Sequence, residues 1–305
     1  MRAGRAGGIW RVRATRSIGH PLGGGTGERM SRAMVRAVRR ALVDAVLTVL
    51  IVIALWQAVV SFAGVSPYVA KGPVEVFEFL FVDEAGAKAG GLAADNRAAL
   101  RPLTVQTLQD AGLGFVVGMT IAVTLAVIFS LSRAVEAGVL PLALLLRSVP
   151  LVAISPVIIL ITGRGTTASV AAIGSIVVLF PALASVLYGL GRASPDSLDL
   201  VRVYGGGSAR ALRMVALPGA LPSIFAAARV SVPGAVTGAL LAEWLSTGKG
   251  IGGSIQKFSA AAKFDELWAS VAVITAITLV LYNVVQLMEN AVLARMGMGK
   301  QAAAT

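Results

Sequence analysis

The sequence contains no cysteine and a single histidine, His20. Disulfide frameworks, thiol nucleophiles and Cys-type metal sites are therefore excluded. His20 lies in a Gly/Arg-rich leader and reads as a solvated tail residue, not a ligand. Charge is scarce as well. Asp, Glu, Lys and Arg make up 14% of the chain, against roughly 25% in a soluble domain. No G-x-x-x-x-G-K-[ST] segment occurs, so the chain cannot cradle ATP phosphates in that manner. Residues 1–29 lack the short apolar core and small-residue cleavage site of a signal peptide. They also show no helical period, so they read as a disordered basic leader. Met30 offers a second start, because helix-like sequence begins there.

What is abundant is apolar sequence. Hydrophobic residues reach 56% and the mean hydropathy is +0.82. A chain this apolar cannot hide its side chains in one water-soluble core. Lipid is the alternative solvent, where a span needs about 20 mostly apolar residues. The net charge of +12 would suggest nucleic acid in a soluble protein. Here the basic residues flank apolar runs, where membrane topology accounts for them and no nucleic-acid partner is needed.

Six apolar segments are expected to span, at about 41–63, 108–131, 139–162, 168–188, 223–242 and 268–288. The predicted fold is all-α, a polytopic membrane protein whose residues 30–305 form one transmembrane domain. Residues 64–107 carry Pro67, Pro73, Asp83, Glu84, Asp95 and Pro102 and read as an external loop with short helices. The cluster Arg32, Arg36, Arg39 and Arg40 precedes the first span and places both termini in the cytoplasm. Gly114 with Gly118, and Gly234 with Gly238, make two G-x-x-x-G seams for close helix packing. Pro150, Pro156 and Pro233 are expected to kink or interrupt their spans.

The most informative stretch is GRASPDSLDLVRVYGGGSARALRMVALPGALP, within the predicted cytoplasmic loop 192–222. It reads as helix, glycine turn, helix. Asp196 or Ser197 caps the first helix, Gly205, Gly206 and Gly207 break it, and Ser208 caps the second, which ends near Leu217-Pro218. A paired-helix projection of this kind suits docking into a partner's groove.

This stretch resembles the cytoplasmic motif of membrane subunits of binding-protein-dependent ABC importers: EAA, three residues, Gly, nine residues, Ile-x-Leu-Pro. Asp199-Leu200-Val201 stands at the EAA position, Gly205 is the glycine, and Val215-Ala216-Leu217-Pro218 follows at the family spacing. The glycine and Leu-Pro ends match, while Asp replaces Glu and Leu-Val replaces the two alanines. The stretches PLALLLRSVPLVAISPVIILITGRG and ALPSIFAAARVSVPGAVTGALLAEWLSTGKGIGGSI resemble the sulfonate/taurine/nitrate branch. Arg147, Pro150, Pro156, Arg229, Glu243, Gly250 and Gly252 sit where that branch has similar residues.

The resemblance implies a type I ABC importer permease fold in the plasma (inner) membrane, with no catalysis and no cofactor in this chain. It implies two cytoplasmic ABC ATPase subunits, an external substrate-binding protein and a second permease subunit, a homodimer being the expected form. Asp199, Gly205, Val215, Leu217 and Pro218 would carry the contact with the ATPase. The substrate class implied is a small organic anion such as a sulfonate or taurine, or else nitrate.

Other features have plainer readings beside the sharper ones. Gly248, Gly250 and Gly253 satisfy G-x-G-x-x-G, but no strand precedes them, so an ordinary glycine loop is the reading. Arg147 and Arg229 lie within apolar segments, where an ionisable residue is a functional candidate. Both are near a cytoplasmic end, and snorkelling or pairing with backbone or a carboxylate is the structural reading. Glu243 and Trp244 end the fifth span and either face a pathway or anchor at the interface. No pair of carboxylates is expected deep in the spans, with Asp44 and Asp110 near segment ends. That absence counts against an ion-coupled secondary transporter, the second function class considered.

Overall fold

The computed structural model describes residues 49–62, 64–83, 92–132 and 149–296, with the single positions 43, 47, 134, 135, 137, 138 and 141. Arg147, the leader 1–29 and the cluster from Arg32 to Arg40 lie outside the described residues. The chain divides into two units, 1–58 and 59–305. The first is described by the opening residues of one apolar helix, α1 (Val49–Phe62), most of whose side chains are exposed.

The second unit is helical throughout its described residues. It begins with a turn over Ser66–Ala70 and a short helix, α2 (Pro73–Phe81), started by its proline at the first position. A long helix, α3 (Ala93–Leu131), follows. α3 starts well before residue 108, so residues 93–107 belong to it and not to a loop. The charges of Asp95, Arg97 and Arg101 lower the hydropathy there without opposing helix. Pro102 and Ala98, whose carbonyl loses its partner, are both exposed, so the proline strands no buried group. α2 and α3 are tied end to end. Asp83 Oδ1 accepts from Ala93 N at 2.9 Å, Asn96 Nδ2 donates to Phe79 O at 2.9 Å, and Arg97 donates to Leu80 O. These bonds satisfy orphan groups at both helix termini.

Then come α4 (Leu151–Thr162), with Pro150 as its N-cap, and α5 (Thr167–Gly191), whose Thr166 Oγ1 accepts from Ser169 N at 3.1 Å. α6 (Pro195–Val203) is short. α7 (Ser208–Thr247) runs unbroken, with π-helical turns at Leu212–Ala216 and Glu243–Thr247. α8 (Gly250–Ala260) and α9 (Phe264–Arg295) complete the chain.

Among the described residues four helices are long and apolar enough to cross a membrane: α3, α5, α7 and α9. The other two expected spans coincide with α1 and α4, which are shorter. Residues 142–148, just ahead of α4, are outside the described ones.

The core is built from α3, α5 and α7, the most extensively packed pairs being α5 with α7 and α3 with α5. Their meeting point is Gly174. A Cβ on Gly114 would lie 2.9 Å from Gly174 Cα, and one on Gly238 would also lie 2.9 Å from it. One on Gly118 would lie 2.7 Å from Val178 Cβ. Three backbones meet here because no side chain holds them apart, the packing that lipid favours. Gly234 has more room, its nearest neighbour being Val177 Cγ1 at 3.4 Å. Around the seam the buried side chains are mostly small: Ala122, Ala126, Ala182, Ala220, Ala227 and Ala239.

Of the prolines expected to disturb spans, Pro150 stands before a helix, while Pro156 and Pro233 sit inside continuous ones. α9 buries little of its apolar surface within the chain, leaving Leu279, Val280, Val284 and Leu287 exposed. Its N-terminus is held by the segment before α2. Tyr68 Oη donates to Ala262 O at 3.0 Å, Trp268 Nε1 to Val69 O at 2.8 Å, and Lys71 pairs with Asp265 at 3.0 Å.

Candidate functional site

Forty residues at a rise of 1.5 Å make α7 about 60 Å long. Its two ends carry different arrangements, one exposed and one buried.

At the N-terminal end, α6 and α7 form an angled pair around residues 204–207. Ser194, not Asp196 or Ser197, stands at the N-cap of α6, and its side chain makes no capping bond. Pro195 takes the first helical position, where its missing N–H is not needed. The chain reverses at Gly205, whose φ is +77°. Only glycine adopts that conformation without strain. A Cβ there would meet nothing within 4 Å, so backbone conformation, not crowding, selects the residue. Crowding applies at Gly206, where a Cβ would come within 2.5 Å of Val201 Cγ1.

The second helix does not end at Leu217-Pro218. Ser208 begins it, Gly207 is its N-cap, and it passes through the π-turn Leu212–Ala216 into the rest of α7. Pro218 lacks an N–H, and its ring would crowd the carbonyl of residue 214 in a regular α-helix. The wider turn lets the helix continue past it. Residues 192–222 are therefore a short helix, a turn and the first turns of a spanning helix.

The predicted coupling residues divide by exposure. Asp199 is exposed and pairs with Arg202 at 2.8 Å. Gly205 is exposed, while Val215, Leu217 and Pro218 are half-buried against the helix base. Leu200, Val203, Tyr204 and Met214 are exposed on the same stretch, as are Arg202, Arg210 and Arg213. Large apolar side chains clustered among cations at a helix turn are an interaction surface by composition.

At the other end, the last π-turn of α7 turns Glu243 and Ser246 inward, both buried. Ser246 Oγ lies 2.7 Å from Ser169 Oγ and accepts from Gly165 N at 3.0 Å, fastening the α4–α5 loop. Glu243 is wholly buried. Its Oε2 accepts from Gly252 N at 2.7 Å and from Thr107 Oγ1 at 2.9 Å. Thr107 Oγ1 in turn accepts from Ile251 N at 2.9 Å. Two first-turn N–H groups of α8 are thus satisfied by α3 and α7, and a carboxylate sits at the positive end of α8. Trp244, the neighbour of Glu243, is half exposed and lines an open groove of about 590 Å³ with Leu240, Ile255, Gln256 and Leu267.

The glycines of the G-x-G-x-x-G match belong to this same knot. Gly250 has φ +61°, and a Cβ on it would strike the Glu243 carboxyl. A Cβ on Gly252 would lie 2.3 Å from Leu240 O, and one on Gly253 2.3 Å from the Gly248 carbonyl carbon. Close approach of the α8 N-terminus to α7 at Gly250 and Gly252, and to the preceding turn at Gly253, explains them. The strand that a dinucleotide fingerprint needs is not what precedes them; a π-turn is.

Two further carboxyl groups, Asp110 and Glu289, are buried among the helices. Asp110, on α3, lies one helical turn after Thr107 on the same buried face. Arg229, on α7, lies 3.2 Å from Glu289 on α9, a charge contact without hydrogen-bond alignment, and its guanidinium stands 5.8 Å from the Tyr282 ring centre. Arg229 takes the carboxylate-pairing option of its structural reading.

Thr107 and Gly252's donor role escaped the sequence reading, because their partner lies 136 and 9 residues away along the chain. A signal was present nonetheless. Leu100, Thr104, Thr107, Ala111, Gly114, Gly118, Ala122, Ala126 and Phe129 recur at three- and four-residue steps, and all are buried. They form the inward face of α3.

Comparison with known proteins agrees with this architecture. A probable ABC transporter permease protein of Haemophilus influenzae is 27% identical over 79% of this chain and 93% of its own length. The riboflavin transport system permease protein RibX of Chloroflexus aurantiacus is 26% identical over 80% of this chain and 86% of its own. The putative aliphatic sulfonates transport permease protein SsuC of Bacillus subtilis is 24% identical over 80% and 84%. In fold, the crystal structure of an amino acid ABC transporter with histidines aligns with a TM-score of 0.51 at 15% identity, over 65% of this chain and 96% of that one. The family model for the binding-protein-dependent transport system inner membrane component matches residues 114–298, which take in the inward face of α3 from Gly114 onward and the whole of α4 to α9. The chain is a multi-pass membrane permease and belongs to the family of binding-protein-dependent transport system inner membrane components.

Proposed function

We propose that this chain is the permease subunit of an ATP-driven importer, coupled to its ATPase through the helix pair around Gly205. The observation that carries this reading is the exposed α6–turn–α7 projection, with Leu200, Val203, Tyr204 and Met214 uncovered in the stretch from Asp199 to Pro218 that resembles the family motif. α7 links that projection to the buried knot at the far end, so a push at one end reaches the core as a rigid-body movement. In this reading six spans contribute per chain, α1 and α4 among them. A second copy of the chain pairs with it, and exposed faces such as that of α9 meet lipid or that copy. Two cytoplasmic ATPases dock at Gly205, and an external binding protein delivers solute. ATP binding would rock the pair outward-open, and resetting would deliver solute inside. Both termini lie in the cytoplasm. The substrate class is a sulfonate, taurine or nitrate, supported by the aliphatic sulfonates relative; the riboflavin relative makes riboflavin the competing ligand.

The test is Gly205→Glu at matched membrane abundance. A side chain there meets φ +77°, and the new charge would be desolvated at the docking contact. An unpaired charge at an interface costs several kcal/mol, enough to dissociate a complex of ordinary affinity. The variant should reach the membrane yet lose ATPase co-purification and uptake together, with uptake assayed for both taurine and riboflavin. Wild-type values for both readouts would remove the helix pair from the mechanism.

A further inference from the structure

Two side-chain oxygens at the far end of α7 have no hydrogen-bond donor: Glu243 Oε1 and Asp110 Oδ2, both buried. Each belongs to a carboxyl group whose other oxygen is satisfied. Glu243 Oε2 takes the Gly252 and Thr107 donors, and Asp110 Oδ1 accepts from Gln106 Nε2 at 3.1 Å. Thr107, which bonds Glu243, lies one helical turn before Asp110 on the same buried face of α3, with Glu243 fully buried and Asp110 8% exposed. No Lys or Arg among the described residues pairs with either. The nearest cations along the chain, Arg101 and Lys249, are exposed, and Lys257 is exposed and donates to Gly248 O at 2.7 Å. On α9, Asp265 and Glu266 are already paired with Lys71 and Lys263. α5 offers this end only hydroxyls, and Ser169 is spent on Ser246. Two anions buried side by side without a counter-charge cannot both persist.

We propose that Asp110 and Glu243 hold one proton between them, as a buried carboxyl–carboxylate pair that caps α8 with a single negative charge. Two donors and the N-terminus of α8 face Glu243 Oε2, so the shared charge is held there. The proton lies between the two oxygens that lack a donor, Asp110 Oδ2 and Glu243 Oε1. One proton then satisfies both orphan oxygens and removes the repulsion. The site is a proton-binding site that ties α3, α7 and α8 into one body. It does not depend on the direction of transport or on any partner.

The test is infrared spectroscopy of the full chain in lipid nanodiscs. At neutral pH the wild type should show a protonated-carboxyl C=O band that shifts in deuterium oxide. Raising the pH should titrate the band away. Asp110→Asn should abolish it while keeping the fold, since the Asn amide can donate where the acid did. Asp110→Leu cannot donate, and it should melt several degrees below Asp110→Asn. No protonated-carboxyl band in the folded wild type at neutral pH would overturn the proposal. So would a melting temperature that rises with sodium chloride but not choline chloride, which would assign the pair to a cation. Should Asp110→Asn fail to fold, the wild-type band and its titration still decide.

Discussion

Thr107 has one hydroxyl proton and several neighbours: it donates to Glu243 Oε2, accepts from Ile251 N, and lies 3.2 Å from Leu103 O. Val has nearly the same shape without either capability. Thr107→Val would leave the Ile251 N–H unpaired in a buried position, which costs about 1–3 kcal/mol. Thr107→Ser should recover most of that loss. Thermal unfolding in detergent checks both, and an unchanged midpoint for Thr107→Val would show the knot to be weak. A second residue-scale case is Arg229, which neutralises the buried Glu289. Removing one partner strands the other, at about 3–5 kcal/mol in a fully buried pair. The Arg229 side chain is 25% exposed, so about 2 kcal/mol is the expectation for Arg229→Met after solvent screening. The double variant Arg229→Met with Glu289→Gln should regain much of it, because no stranded charge remains. Strict additivity in that double-mutant cycle would mean the two do not interact.

Between elements, the contact that matters is backbone on backbone at Gly174. Gly118→Val adds a branched side chain whose Cβ alone would overlap Val178 Cβ at 2.7 Å and Ser175 O at 2.8 Å. α3 and α5 would have to separate, and overpacking of this kind costs about 1–3 kcal/mol. Gly112 is on the same helix, but a Cβ added there would meet nothing within 4 Å, so Gly112→Ala should be neutral or slightly stabilising. The comparison separates crowding from helix propensity. Monodispersity and melting of the purified variants report it, and equal behaviour of the two would dismiss the seam. The π-turn ahead of Pro218 belongs to this scale too. It lets one 40-residue helix carry both the exposed projection and the buried knot, where a break would have separated them.

For the whole molecule, the proposed orientation places the Gly205 end of α7 in the cytoplasm and the Glu243 end outside. The absence of native cysteine makes single introduced cysteines readable without background. Ala85→Cys should be labelled from outside intact cells and Gly207→Cys should not, if the N-terminus is inside as proposed. The reverse pattern would invert the topology and detach Gly205 from any cytoplasmic ATPase.

Class, solvent and the helix pair could be read from the sequence alone. Apolar runs of spanning length demand lipid whatever they pack against, and Gly205 with Leu217-Pro218 lies within one local stretch. Periodicity on α3 carried the buried face for the same reason: a helix repeats its faces by local geometry. Helix limits were less legible. Hydropathy marks where lipid contact ends and not where helix ends, so α3 begins at Ala93 and α7 continues past Pro218. The Thr107–Glu243 bond and the Arg229–Glu289 pair were decided only by the tertiary structure. A charge in an apolar segment announces that it needs a partner. Which residue supplies it depends on how α3, α5 and α7 close around Gly174 and how α8 and α9 pack on them, and no local pattern encodes that meeting.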